Sequence, residues 1–129
     1  MTTAAAALGG MRVLVVEDEG LIAMDLAATL RRAGCTVVGP ARRVAHALRH
    51  VADDAPDVAI LDVNLAGEPV FPVADALAER GVPFTFLSGY GRNMLPDRLR
   101  DRPLLGKPYS AGPLLATIER LLVGRQGGA

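Results

Sequence analysis

Five short apolar runs alternate along this chain with stretches whose apolar residues recur at helical spacing. That alternation constrains the fold more than any other feature. The runs are residues 11–16 (M-R-V-L-V-V), 36–38, 58–61 (V-A-I-L), 82–87 (V-P-F-T-F-L) and 104–105. The third is rich in branched residues, as a strand buried on both faces is. Strands alternating with helices over short connections specify a parallel sheet covered on both faces. Right-handed crossovers restrict its topology. The expected fold is α/β, a flavodoxin-like (βα)5 doubly wound parallel sheet with strand order 2-1-3-4-5.

The helical stretches follow from spacing. Leu21, Ile22, Leu26 and Leu30 mark the first, stopped by Gly34. Val44, Leu48 and Val51 mark the second. Val70, Val73, Ala74 and Leu77 mark the third, which ends at Gly81 and carries Pro72 in or near its first turn, where proline is tolerated. Leu114, Leu115, Ile118, Leu121 and Leu122 mark the last, with Ser110 as its expected N-cap. Between residues 92 and 102, Met94, Leu95 and Leu99 could make a short helix, which Pro96 limits. The expected organisation is a disordered tail over 1–10, one domain over 11–123 and a Gly-rich tail over 124–129.

Formal net charge is zero, which argues against a direct nucleic-acid binder. Cys35 is the only cysteine, so no intramolecular disulfide forms, and it reads as a small buried residue at a strand start. The first ten residues lack the basic and apolar regions of a signal peptide, and no apolar run reaches membrane-spanning length. The expectation is a cytoplasmic domain with no membrane association.

The chemistry lies at the C-terminal ends of the strands, where open α/β sheets bind ligands. Strand one runs into Glu17 and Asp18, strand three ends in Asp62, strand four in Ser88, and strand five is followed by Lys107, the chain's only lysine. Taken singly, Asp62 is as readily a turn starter, Ser88 a turn residue and Lys107 a surface charge. Together they form a set. Strand order 2-1-3 brings Glu17, Asp18 and Asp62 to one edge, and three acids packed together need a cation. Oxygen ligands with room for water suit Mg²⁺. His46 and His50, four apart on the exposed side of the second helix, are weak candidates for ligands. Phosphoryl transfer to a carboxylate needs a nucleophilic oxygen, which Asp62 offers, and neutralisation of the transferring oxygens by a metal and a cation such as Lys107. Ser88 can hydrogen-bond a phosphoryl oxygen.

Through V-L-V-V-E-D-E, L-D-V-N-L, F-L-S-G-Y-G and G-K-P-Y, residues 11–123 resemble the receiver domains of two-component response regulators. The resemblance implies a single-domain response regulator in which Asp62 accepts phosphate from a histidine kinase or phosphotransfer protein. It implies Mg²⁺ held by Asp18, Asp62, the backbone carbonyl of Asn64, and Glu17 directly or through water. Ser88 would be the switch hydroxyl and the Lys107–Pro108 peptide cis. Such a domain is not an enzyme beyond its own phosphorylation and dephosphorylation. It signals through a downstream protein partner, or as a phosphate relay or sink, as a monomer or weak homodimer.

Three positions depart from the common pattern: Glu17 for Asp, Ser88 for Thr, and Leu104 where many receivers carry an aromatic switch residue. F-L-S-G-Y-G is similar to the F-A-T-G-Y-G variant of a subfamily typical of alphaproteobacteria, with Tyr90 as the aromatic after the hydroxyl. D-V-N-L-A-G-E resembles that subfamily too. Three other readings compete. A phosphatase resembling the haloacid dehalogenase group needs an acid where Asn64 stands. A nucleotide- or flavin-binding module needs a glycine-rich loop where E-D-E-G stands. The third is a degenerate receiver used as a phosphorylation-independent docking module, which the complete set of acids, Ser88 and Lys107 disfavours.

Overall fold

The structure, a computed structural model, describes residues 8–127. The sheet strands are β1 (Arg12–Val16), β2 (Thr36–Ala41), β3 (Val58–Asp62), β4 (Phe84–Ser88) and β5 (Leu104–Gly106). All neighbouring pairs are parallel, in the order β2-β1-β3-β4-β5, which is the expected topology. The helices are α1 (Gly20–Arg32), α2 (Val44–Asp53), α3 (Phe71–Glu79) and α4 (Ala111–Gly127).

Strand side chains alternate between two cores, as the period of two requires. Leu14, Val16, Ala59, Leu61, Phe84 and Phe86 face α2 and α3, meeting Ala47, Val51, Val73 and Leu77. Val13, Val15, Val58, Ile60 and Leu87 face α1 and α4, meeting Leu26, Leu30, Leu114 and Ile118. Residues 58–61 are 0% exposed, so β3 is covered on both faces. Phe84 and Phe86 meet edge to face at 5.5 Å, and Phe71 meets Phe86 at 6.4 Å. These aromatics pack together within an otherwise aliphatic core.

Several local expectations need correction. Strand β2 does not close at Gly39; it runs to Ala41 through a bulge in which Leu14 pairs with Val38 and Val16 with Ala41. Gly39 adopts φ 89° there, and a Cβ on it would lie 2.6 Å from the backbone nitrogen of Ala41. The extension has a consequence at the site: the Ala41 carbonyl accepts the Glu17 N–H at 3.0 Å. Between β3 and α3 the chain makes a small hairpin, Asn64–Leu65 against Glu68–Pro69. Its loop residues Ala66 and Gly67 both have positive φ, as a type I′ turn demands.

No α-helix forms between residues 92 and 102. Two 3-10 turns stand there, Arg92–Met94 and Asp97–Leu99, on either side of Pro96. Proline forces its predecessor out of the helical region, and Leu95 is extended at φ −90°, ψ 143°. Leu95 and Leu99 still plug the core where a helix would have packed, while Met94 stays exposed.

The ends also differ from expectation. Leu8 is fully buried in the α1/α4 core, and the Gly10 N–H bonds the Gly34 carbonyl at 2.9 Å, so the loose segment expected over 1–10 does not include residues 8–10. An apolar side chain with a void to fill and a backbone donor with a partner hold it down. Residues 1–7 lie outside the described residues. Helix α4 continues to Gly127 past the expected tail boundary, because one glycine costs a helix only about 1 kcal/mol. Residues 128–129 of that tail lie outside the described residues. Among the described residues no helix is long and apolar enough to cross a membrane.

Candidate functional site

Parallel strands deliver their C-terminal residues to one edge, and β1, β3 and β4 are neighbours there. Asp62, the last residue of β3, is 6% exposed. Glu17, one residue past β1, is 0% exposed, and Asp18 is half-buried. One carboxylate oxygen from each of the three acids lies within 4.8 Å of the others. Ser88 ends β4, is 4% exposed, and its Oγ accepts the Tyr90 N–H at 2.9 Å. Its carbonyl accepts the Lys107 N–H at 3.0 Å, so β4 and the loop after β5 are locked at the site. The Lys107–Pro108 peptide is cis, as expected, and so is Gly39–Pro40, which the sequence reading did not foresee.

Lys107 reaches back across the edge. Its Nζ lies 3.2 Å from Glu17 Oε2, 3.3 Å from Glu17 Oε1, and 3.4 Å from Asp62 Oδ1. One ammonium therefore faces two buried carboxylates. Burial alone would lower its pKa, but the Asp62 and Glu17 charges outweigh that and raise it. Asp62 is pushed up to about 7, first by burial, then by the Glu17 charge and by hydrogen bonds with Asp18 and Glu17; Lys107 opposes the rise. Glu17 Oε1 accepts the Glu19 N–H at 3.2 Å, whereas Glu17 Oε2 is buried with no hydrogen bond. Three acids share the one Lys107 ammonium here, which leaves a set of hard oxygens short of positive charge.

An open cleft of about 490 Å³ lies over these groups, lined by Asp18, Asp62, Asn64, Ser88, Tyr90 and Lys107 among others. Asn64 is exposed, and its side-chain oxygen accepts the Gly67 N–H at 2.8 Å. Tyr90 is 69% exposed at the cleft. Leu104 packs against the α2/α3 core. His46 is exposed and His50 bonds Asp54 at 2.6 Å, so neither joins the acids. Every other residue singled out from the sequence, Glu17, Asp18, Asp62, Asn64, Ser88, Tyr90 and Lys107, comes to this edge.

A family model for the response regulator receiver domain matches residues 13–102. The chain belongs to this receiver family. Among curated proteins it is 34% identical over 122 residues to the transcriptional regulatory protein PdtaR of Mycobacterium tuberculosis, covering 92% of this receiver and 60% of PdtaR. The chain thus spans less than two thirds of that relative. Among solved structures it matches SdrG from Sphingomonas melonis at 43% identity and TM-score 0.77, covering 94% of this chain and 99% of SdrG. It also matches the BeF3-activated conformation of SdrG from Pseudomonas melonis, at 41% identity and TM-score 0.73, over 95% and 99% of the two chains.

Two polar residues of this receiver were missed from sequence. Arg42 donates from Nε and Nη2 to the Asp18 carbonyl at 3.3 and 2.8 Å. Glu68 accepts the Val44 N–H at 2.9 Å. The signal for the second was legible: the segment before α2 reads Ala41-Arg42-Arg43, with no side chain that can cap a helix.

Proposed function

We propose that this receiver is phosphorylated on Asp62 by a histidine kinase or phosphotransfer protein, and that phosphorylation switches a protein-interaction surface or passes the group along a relay. The observation that carries the reading is the Glu17–Asp62–Lys107 cluster at the sheet edge, two buried acids facing one half-buried ammonium beside an open cleft. Asp62 is the only one of the three acids placed at a strand end and in direct reach of Lys107 Nζ while lining the cleft.

Receiver domains bind Mg²⁺ at this acidic site, and the residues here fit it. Glu17 Oε2 is a buried oxygen that makes no hydrogen bond and meets the Lys107 ammonium, and the donor set is all carboxylate and carbonyl. Asp18, Asp62 and the Asn64 carbonyl would hold the ion, with Glu17 directly or through water. When bound, it neutralises charge on the transferring phosphoryl oxygens.

The chain's own residues do the rest. A carboxylate oxygen of Asp62 attacks phosphorus; the new O–P bond forms as the donor's N–P bond breaks, and the electron pair returns to the donor's imidazole nitrogen. Lys107, released from one of its two acid partners, pairs with a phosphoryl oxygen. Ser88 Oγ, now accepting from the Tyr90 N–H, is free to turn its own proton toward another. Its shift draws on the Gly89–Tyr90–Gly91 segment, where exposed Tyr90 takes the role that Leu104 cannot. On this reading F-L-S-G-Y-G works as the F-A-T-G-Y-G variant does, through the aromatic after the hydroxyl. The docking module that works without phosphorylation is not favoured, because a mere docking surface has no use for two buried acids and a lysine turned inward onto them.

A beryllium fluoride titration in the presence of Mg²⁺ tests the site, because this anion forms a stable mimic on a phosphoacceptor carboxylate. Binding to the wild type and none to Asp62→Ala supports the reading. Equal binding to both contradicts it.

A further inference from the structure

Helix α2 begins without a cap of its own. Arg43 stands at its N-cap position in extended backbone and makes no side-chain bond to the helix. The acceptor comes from far along the chain: Glu68 Oε1 takes the Val44 N–H at 2.9 Å. A carboxylate suits this place, because a helix N-terminus presents free N–H groups and partial positive charge. The accompanying Arg43–Glu68 ion pair, at 4.0 Å with Arg43 70% exposed, contributes little.

Glu68 belongs to the hairpin that follows β3 and pairs with Leu65, next to Asn64. Arg42, two residues before Val44, grips the other side of the site through the Asp18 carbonyl. Residues 42–44 therefore hold two separate loops, one bearing Asp18 and one bearing Asn64. Neither Arg42 nor Glu68 is among the residues that line the cleft.

We propose that Glu68 is a positioning residue for the Mg²⁺ site: by capping α2 it fixes the hairpin, and with it the Asn64 main chain, relative to Asp18. The proposal rests on the receiver reading above. Groups that orient ligands in this indirect way typically change metal affinity 10–100-fold when removed. The lower end is expected here, because the affected ligand is one carbonyl among several oxygens.

The test is a Mg²⁺ titration of the full chain followed by amide NMR, with thermal unfolding in parallel. The variants are Glu68→Ala, Glu68→Gln, and the double variant Arg43→Ser with Glu68→Ala. Serine at position 43 gives α2 a local cap without restoring the link to the hairpin. Glu68→Ala should weaken Mg²⁺ binding about tenfold, and Glu68→Gln, which keeps an acceptor oxygen, by less. The double variant should regain the wild-type Tm while its Mg²⁺ affinity stays weak. Wild-type affinity in Glu68→Ala, or recovery of affinity together with Tm in the double variant, overturns the positioning role and leaves the receiver reading standing. A wild type that binds no Mg²⁺ overturns both.

Discussion

Lys107 Nζ stands 3.2 Å from Glu17 Oε2 although the two residues are ninety positions apart. Glu17 is wholly buried, so its charge has almost no water to lean on. The contact joins the loop after β1 to the loop after β5 across the central strands, and it makes the lysine a structural counter-ion before it meets any phosphoryl group.

Removing that counter-ion leaves two carboxylates crowded together. Lys107→Ala is expected to destabilise the metal-free chain at pH 8 by about 2–4 kcal/mol, a little under the roughly 3–5 kcal/mol for breaking a fully buried charge pair because Lys107 is only partly buried. Mg²⁺ should recover much of the loss. Thermal unfolding with and without Mg²⁺ checks both; an unchanged Tm in the metal-free protein would contradict the counter-ion role.

Asp62 gives a pH signature. Its pKa is raised from 3.8 to about 7 by burial and by the Glu17 charge. The folded chain therefore holds this proton where the unfolded chain has released it. That contribution to stability is full below about pH 4 and is lost as pH rises through 7. Asp62→Asn is expected to be more stable than the metal-free wild type at pH 8, by roughly 1–3 kcal/mol. The gap should close toward pH 5. Paired Tm measurements in a chelator, at the two pH values, read the difference directly.

In the α2/α3 core, Phe86 is 0% exposed and contacts both Phe84 and Phe71 edge to face. Phe86→Ala should cost about 3–5 kcal/mol, a large part of the stability of a small domain. Denaturant unfolding measures it. A loss below about 1 kcal/mol would mean the aromatic cluster collapses to fill the gap.

The loop that carries Lys107 has its own anchor. The Tyr109 hydroxyl donates to Asp25 on α1. Burial first, then the Asp25 hydrogen bond and charge, raise the Tyr109 pKa above its ordinary value. Tyr109→Phe keeps the packing and removes the bond, so the expected loss is only about 0.5–1.5 kcal/mol. Faster amide exchange at Gly106, Lys107 and Tyr109 is expected alongside it, and exchange unchanged from the wild type would show that the anchor lies elsewhere.

Much of this was legible in the sequence because strand-end chemistry and topology are coupled. Once residues 58–61 read as a doubly covered strand, Asp62 had to emerge at the edge, and strand order set Glu17 and Asp18 beside it. Period and spacing do not carry the rest. Nothing in T-V-V-G-P-A announces that β2 continues through a bulge to Ala41, since Gly-Pro ordinarily ends a strand. Leu21 matched the helical spacing of α1 yet is 84% exposed, because spacing identifies a face only to within a residue or so. The segment between residues 92 and 102 kept its two core leucines and lost its helix to Pro96. Arg42 and Glu68 act through backbone groups, so their partners follow from the folded loops and not from any motif.

The measurement that bears most directly on the central claim is intact mass after incubation with acetyl phosphate. Wild type with Mg²⁺ should gain one phosphoryl mass, the gain should vanish when Mg²⁺ is chelated, and Asp62→Ala should show none. A gain of the same size in Asp62→Ala would place the phosphoryl group elsewhere. No gain in wild type, with no beryllium fluoride binding either, would contradict a phospho-acceptor role for this site.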